Sequence, residues 1–542
     1  MAVSRFRTCF AASSFIAFFS GGARASNILE VGEAGSEQMA RGGAWVARAS
    51  DPLAAYYNPA GLAGQATRFS LNANVVFHHT CMTRVLAAND TTNESGVDPN
   101  TALFPRVCND IEPFPNPQLA FNYRVSDRLG IGLSILGPNA AGKSHWPEFV
   151  NGAAPAPQRY LFLKASGIQL NPTIAIGYEV IDGLRIGGSF QWGMAQFHLA
   201  NSVPVLNADS ATPQTNDAKA LLQVKDYFIP GFTLGALYSP IDELDIAAWY
   251  RYSAPIDAKG DVVADTNYFT RQVQGGDTSG TKGTDSSDPG CGFDLPSKVC
   301  ASGKNASVRV VIPMEAKLGF RFHKPRSSEV RTSHKRDPLS QDLFDAEVDF
   351  TWSNNSALDT FRIRFPGNAE GDGVIPINGV AGGTVPPSAD VTKGFKDVFG
   401  VRVGGDYNIL PDKLAIRGGV FAESNGQNQQ YQHIDFAGAA RFGLALGGTY
   451  RLRMGGEDRT RALEFSFGYG HIFFGKQDQG ASDRNAPGLT ALAGVACNPT
   501  GNAQPGDTCS DGRMKYRTNW PVNLGTIWNS VNTINVGVAY RF

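Results

Sequence analysis

"TINVGVAYRF", residues 533–542, is the stretch on which the fold turns. Ile534, Val536, Val538, Tyr540 and Phe542 fall on one face of an extended segment, and Thr533, Asn535, Gly537, Ala539 and Arg541 on the other. Side chains alternate across a strand, so the pattern predicts a strand with one apolar and one polar face. The alternation recurs upstream. Leu244, Ile246, Ala248, Tyr250 and Tyr252 oppose Asp245, Ala247, Trp249, Arg251 and Ser253. Phe344, Ala346, Val348, Phe350 and Trp352 oppose Asp345, Glu347, Asp349 and Thr351.

A soluble β-sandwich also alternates, but turns its charged face to water and its apolar face to a second sheet. A membrane barrel turns the apolar face to lipid and the charged face to the lumen. Connection lengths separate the two. About fourteen strands are predicted, beginning near residues 68, 117, 128, 166, 184, 224, 244, 306, 343, 394, 413, 436, 462 and 530; bacterial barrels have an even number. Tight turns such as "VSDR", "IDG", "SPIDE" and "LPDK" alternate with long polar loops at roughly 81–116, 137–165, 199–223, 260–305, 357–393, 425–435 and 475–529. Short periplasmic turns and long outer loops belong to a transmembrane antiparallel β-barrel. One turn, 323–342, is too long and too basic for this pattern, and the sequence gives it no role.

The 542 residues carry 48 basic and 49 acidic side chains, so no basic field points to nucleic acid. Sixty-one glycines and an 11% aromatic share suit strands and crowded barrel walls. Arg5 and Arg7, the apolar run Phe10–Phe19 and Ala23-Arg24-Ala25 read as an export signal over residues 1–25, followed by a chain that works outside the cytoplasm. No later run of eighteen apolar residues marks a transmembrane helix.

Without Cys9 the seven cysteines become six, in local pairs: Cys81 with Cys108, Cys291 with Cys300, and Cys497 with Cys509. An even count in an exported chain favours disulfides. All three pairs lie in segments assigned to the outer side. The alternative, free buried thiols, does not account for pairing inside polar segments. No cysteine spacing suits a metal, and neither G-x-S-x-G nor H-E-x-x-H occurs, so no metal, cofactor or catalytic group is expected.

"GPNAAGKS", residues 137–144, fits the phosphate-binding loop pattern letter for letter. The pattern needs a helix whose N-terminus receives the phosphate, and the following "HWPEFVNGAAPAPQRY" carries three prolines and no helical period. Export also removes the chain from its nucleotide. Proline withholds a ladder hydrogen bond and glycine permits a bend, so Gly137-Pro138 reads instead as a break in a strand.

Residues 26–67 do not alternate. Small residues dominate, with short helical stretches broken at Asp51-Pro52 and Asn58-Pro59; composition alone fits a periplasmic tail equally well. "GSEQMARGGAWVARASDPLAAYYNPAGLA" closely resembles the hatch, or plug, of the FadL-type transporters of long-chain fatty acids and hydrocarbons, with Asn58, Pro59 and Ala60 at that family's Asn-Pro-Ala element. "LNPTIAIGYEVIDGLRIGGSF", "PMEAKLGFRF", "GFKDVFGVRVGGDYNILPDKLAIRGGV" and the final strand extend the resemblance in order along the chain.

The resemblance implies a monomeric fourteen-stranded barrel over 68–542 with a small α-helical hatch, 26–67, closing its lumen. It implies passive uptake of a hydrophobic small molecule past outer-membrane lipid and lipopolysaccharide, with release sideways at a kink in the third strand, here Gly137 and Pro138. It also implies a lysine for a ligand carboxylate, Lys396 in "GFKD", and places Gln196 where the fatty-acid transporters carry an arginine, which favours a neutral or aromatic cargo. A structural or adhesive barrel acting through its outer loops is the rival reading.

Overall fold

The computed structural model describes residue 30 and residues 32–542 apart from 89–93, 95, 139–142, 151–153, 204–216, 266–267, 270–299, 327–333, 365–374, 377–383, 386–387, 437, 455–460, 487–495, 499–513 and 517–520. Fourteen antiparallel strands form a closed ring. In chain order they are β1 Arg68–Arg84, β2 Phe114–Arg124, β3 Leu129–Leu136, β4 Lys164–Ile181, β5 Leu184–Val203, β6 Ala218–Ile241 and β7 Leu244–Ser253. The second half comprises β8 Glu315–Pro325, β9 Asp342–Ser353, β10 Val398–Leu410, β11 Leu414–Glu423, β12 Arg441–Met454, β13 Arg461–Phe474 and β14 Gly525–Arg541. Each strand pairs with the next, and β14 returns to β1 from Arg68↔Arg541 to Arg84↔Gly525. Closure leaves no sheet edge, which is what a strand structure in lipid requires.

The faces fall as the alternation predicts. In β14, Ile534, Val536 and Val538 are exposed to the surroundings, while Thr533 and Asn535 are buried inside the ring. In β9, Phe344 and Phe350 face outward, and Asp345, Glu347 and Asp349 are buried. No described helix is long and apolar enough to cross a membrane; the strands do so.

Two differences from the predicted layout concern the outer end. The eighth barrel strand begins at Glu315, not near 306, because Pro313 cannot donate to a ladder and separates it from Cys300–Val310. That earlier segment is a strand of its own. It pairs with Ile256–Asp265, part of which was expected to be loop, and Ile256–Asp265 pairs with the upper half of β6 from Lys219↔Asp265 to Lys225↔Lys259. Thr360–Arg364 and Ser388–Thr392 extend this sheet beyond the barrel rim.

The chain from 32 to 67 is buried against the inward strand faces. Its two short 3-10 turns start where the sequence supplies caps: Asp51 accepts from Leu53 N at 2.8 Å ahead of Pro52–Ala55, and Asn58 accepts from Ala60 N at 3.3 Å ahead of Pro59–Leu62. The acidic row of β9 is its main anchor. Arg41 bonds Asp345 at 2.7 Å, Asp406 at 2.6 Å and Glu347 at 3.1 Å. Arg48 meets Asp345 and, at 3.0 Å, Asp406. Glu347 and Asp349 also accept the backbone N–H groups of Ala47 and Trp45 at 2.6 and 2.8 Å. Buried carboxylates need such partners, and here one segment supplies both charges and amides.

The long basic turn now has a place. Arg336 donates to the carbonyls of Ala47 and Arg48 at 2.9 and 3.0 Å, its N–H bonds Gly64 O at 2.9 Å, and His334 reaches Glu179 at 2.9 Å. Asp337, beside it, holds Arg451 at 2.7 Å. The turn braces the segment from the side opposite the long loops.

Candidate functional site

Three features meet inside the barrel: a break in the strand ladder at Gly137 and Pro138, a floor made by the N-terminal segment, and apolar clusters under the outer loops. The break begins where β3 stops. β3 pairs with β2 as far as Leu119↔Ile135 and with β4 as far as Leu136↔Asn171. Gly137 and Pro138 lie outside the ladder, and among the described residues the next pair with β4 is Lys143↔Ser166. Asn116 of β2 donates its side-chain amide to Pro138 O at 3.0 Å and to Gly137 O at 3.5 Å. A Cβ on Gly137 would meet Gln169 O at 2.3 Å, so this bend requires glycine.

Lys143, the lysine of the phosphate-loop pattern, is half-exposed at 3.5 Å from Glu112, in a short strand Lys143–His145. A strand follows the pattern where phosphate binding needs a helix.

Below the break lies an aromatic floor. Trp45, Leu53, Tyr56, Tyr57 and Leu62 pack in one cluster with Ala120, Leu136 and Ala175 of the wall. Asn58, Pro59 and Ala60 are buried at its edge. Asn58 Nδ2 donates to Val46 O at 2.9 Å, and Pro59 presses on β5 so closely that a Cβ on Gly187 would lie 2.3 Å from its carbonyl carbon. Tyr56 also caps Arg251, whose guanidinium carbon sits 3.9 Å from the ring centre and which donates to Tyr56 O at 3.0 Å.

Above the floor, Ala195, Leu222, Val224, Ile229 and Ala258 form an apolar inner face with Phe197 and Leu199 packed against it. Val310 joins this face to a second cluster of Leu358, Phe395, Phe361 and Phe436.

Of the expected ligand residues, neither reaches these clusters. Gln196 shares its strand face with Ile186, Phe190 and Trp192, all exposed, and bonds His198 at 3.2 Å; it points out of the barrel. Its neighbours Ala195 and Phe197 are the inward ones. A one-residue difference in alignment is enough to exchange the faces. Lys396 is exposed too, with its N–H on Gly426 O at 2.8 Å.

The buried lysine is Lys393, three residues earlier, which sequence reasoning missed. Its ammonium is 2.7 Å from Asp435 and 5.4 Å from the Phe361 ring centre. His433 is 2.6 Å from the same carboxylate. Burial alone would raise the Asp435 carboxyl, but His433 and Lys393 overcome it and hold it well below the usual range. Burial pushes the His433 imidazole down, against the pull of Asp435. Other buried cations near the outer end are likewise committed: Arg84 and Arg159 share Glu94 at 2.8 and 2.6 Å.

Cys81 and Cys108 face one another across an antiparallel pair and form a disulfide. His79 lies 3.2 Å from Cys81 Sγ, but both sulfurs are spent on the disulfide, so this trio is no metal site. Cys291 and Cys509, and the side chains of Cys300 and Cys497, lie outside the described residues.

A family model described as "Outer membrane protein transport protein (OMPP1/FadL/TodX)" matches residues 16–504. No curated protein matches the sequence. Among solved structures, a Pseudomonas aeruginosa FadL homologue is similar at 17% identity and TM-score 0.64, over 95% of this chain and 100% of that one. The Ralstonia pickettii toluene transporter TbuX is similar at 14% identity and TM-score 0.53, over 95% and 99%. The monoaromatic hydrocarbon channel CymD is similar at 12% identity and TM-score 0.52, over 96% and 99%. At these identities the likeness concerns the fold.

Proposed function

The chain belongs to the OMPP1/FadL/TodX family of outer membrane transport proteins, and on that premise we propose that it passively takes up uncharged hydrophobic molecules, releasing them sideways through a gap beyond Leu136. The interrupted ladder carries this reading. In a closed barrel every ladder hydrogen bond left unmade in the wall is costly, yet Gly137 and Pro138 leave the ladders that β3 makes with β2 and β4, beside an apolar interior. The N-terminal segment, anchored by Arg41 and Arg48 and braced by Arg336, acts as the hatch that blocks a straight path. Cargo then moves from the outer clusters to the aromatic floor and leaves through the wall.

The preference for uncharged cargo rests on Lys393. A fatty-acid carboxylate needs an available cation in an apolar setting, and the buried lysine beside the aromatic cluster is already neutralised by Asp435. Aromatic or aliphatic hydrocarbons make no such demand.

The test is uptake of radiolabelled toluene and oleate by cells whose only such transporter is this protein, with mass spectrometry of any ligand retained on purification. Toluene uptake above an empty-vector control, with oleate near background, is the expected result. Oleate uptake matching toluene would reject the charge preference, and uptake of neither would leave the adhesive reading.

A further inference from the structure

On one side the barrel wall continues above the rim, and its outward face changes character there. Along β5 the outward residues Ile186, Phe190, Trp192 and Met194 give way to Gln196 and His198. The apolar stretch 184–194 matches the roughly 9–11 residues with which a tilted strand crosses a membrane. β6 makes the same change between Tyr227 and Lys225, and Lys225 stands across the ladder from Gln196. Aromatic rings mark the boundary. Trp192 donates its indole N–H to Tyr227 O at 2.8 Å and meets the Phe228 ring edge-on at 4.9 Å. Such rings gather where a barrel leaves the apolar layer.

Above this belt the outward face is basic. Lys225 stands across the ladder from Lys259, Lys259 from Ser307, and Ser307 from Arg364. One step nearer the membrane, Asp257 stands across from Arg309, and Arg309 from Arg362. All five bases are exposed, while Val224, Ala258 and Val308 beside them in the strands are buried in the apolar inner face. Like charges directly opposite one another, as Lys225 and Lys259 are, destabilise an antiparallel pair unless an anion joins them. The acids nearby do not supply it. Asp226 accepts the N–H groups of Phe228 and Asp257 at 3.0 and 2.9 Å, and Asp257 is paired with Arg309 at 3.0 Å. Asp261 lies a further step outward, across from Gln223. Among the described residues, Lys225, Lys259 and Arg362 have no carboxylate partner.

We propose that this face binds the phosphorylated sugar headgroup of the outer-leaflet glycolipid, the lipid A part of lipopolysaccharide. Lys225, Lys259 and Arg362 take its phosphates, Gln196 and His198 its hydroxyls, and the acyl chains lie on Phe190 and Trp192 below. The match is one of place as well as charge, because the bases begin where the apolar band of the same strands ends. From Lys225 to Arg364 the face spans three ladder steps, about 14 Å at about 4.8 Å each, wide enough for a headgroup with more than one phosphate. The inference needs only the orientation of the barrel in the outer membrane and is independent of the route the cargo takes.

The test is titration of the full-length protein in detergent, freed of co-purified lipid, with bisphosphorylated lipid A, the bound states being counted by native mass spectrometry. Lys225→Gln, Lys259→Gln and Arg362→Gln together should weaken binding by about tenfold or more, as the loss of three interfacial bases implies. The control neutralises three exposed bases at the opposite end, Lys324→Gln, Lys413→Gln and Arg461→Gln, and should leave binding within about twofold of the native value. Lipid A stripped of its phosphates should bind the native protein as weakly as the phosphorylated form binds the triple variant. Unchanged binding of lipid A by the triple variant would overturn the proposal, and so would an equal loss in the control. Displacement of lipid A by millimolar inorganic phosphate would reduce the face to a simple anion site and reject the glycolipid. A protein dimer abolished by the triple variant would give the face to a second copy of the chain instead. Heat-modifiable gel migration checks that each variant is folded. If the triple variant is not, Lys259→Gln alone decides, with a loss of about threefold or more expected and no loss rejecting the site.

Discussion

Arg41 and Asp345 form an ion pair at 2.7 Å with neither side chain accessible to solvent, joining residues 304 positions apart. Leaving a buried charge with no partner costs about 3–5 kcal/mol; Asp345 keeps Arg48 and Arg321 when Arg41 is removed, so the loss falls below that range and is borne mainly by the N-terminal segment that Arg41 ties down. Arg41→Met should therefore unseat the N-terminal segment while the closed ladder of fourteen strands keeps the barrel intact. The expected observation is faster hydrogen exchange across 36–63 with unchanged heat-modifiable migration. Unchanged protection of that segment would mean that Arg48 and the backbone bonds to Glu347 and Asp349 hold it without Arg41.

Non-reducing peptide mapping should return Cys81–Cys108, the disulfide that joins cross-strand partners. We expect Cys291–Cys300 and Cys497–Cys509 as well, each closing a loop at the outer end. Reducing the Cys81–Cys108 link, 27 residues apart, should cost the loop roughly 2–4 kcal/mol through its unfolded states. Crossed connectivities would remove the assignment of these segments to one side of the membrane.

The barrel was legible in the sequence because parity survives translation: a run such as Phe344–Trp352 declares its two faces without reference to any neighbour. The same parity undid the ligand residues. Gln196 was placed by alignment to a motif, and a single-residue offset put it outside with Trp192 while Ala195 and Phe197 point in. Lys393 had no local signal distinguishing it from Lys396, since both lie outside strands and only the packing of Phe361, Phe395 and Phe436 tells which is covered. The Gly137-Pro138 break was visible as chemistry in the sequence itself. The acidic row of β9 announced a polar interior, whereas its partners Arg41 and Arg48 lie some three hundred residues away.

Acid should loosen the junction of Lys393, His433 and Asp435, and both groups that titrate act with the same sign. The folded His433 has its pKa lowered, so as pH falls through the ordinary value of 6.5 the unfolded chain binds the proton more readily and stability is lost. Asp435 is also lowered in the folded chain; its contribution is present above the ordinary carboxylate pKa and is lost only in stronger acid. Between pH 7.5 and 5.5 the first effect is the relevant one. Hydrogen exchange at 427–435, corrected for intrinsic rates, should quicken over that interval in the native protein and stay flat in His433→Gln. Equal pH slopes in both would assign the effect elsewhere.

The charge preference of the cargo makes the last expectation. Asp435 neutralises Lys393 at 2.7 Å, beside the rings of Phe361, Phe395 and Phe436. Asp435→Asn keeps the shape of the side chain and removes its charge, leaving a buried ammonium in apolar surroundings with no carboxylate. A fatty acid arriving from the outer clusters would then supply the missing anion. A hydrogen bond between charged groups contributes about 1.5–3 kcal/mol, so oleate binding should strengthen roughly ten- to hundredfold. Toluene offers no charge and should bind as before. Adding Lys393→Met to Asp435→Asn should return oleate to its original weakness, because the cation is then gone as well. Lys396→Ala, at an exposed position, should change neither ligand. Titration of purified protein with labelled oleate and toluene measures all four cases. A gain shared equally by both ligands would point to loosened packing, and no gain for oleate would take Lys393 out of the path of the cargo.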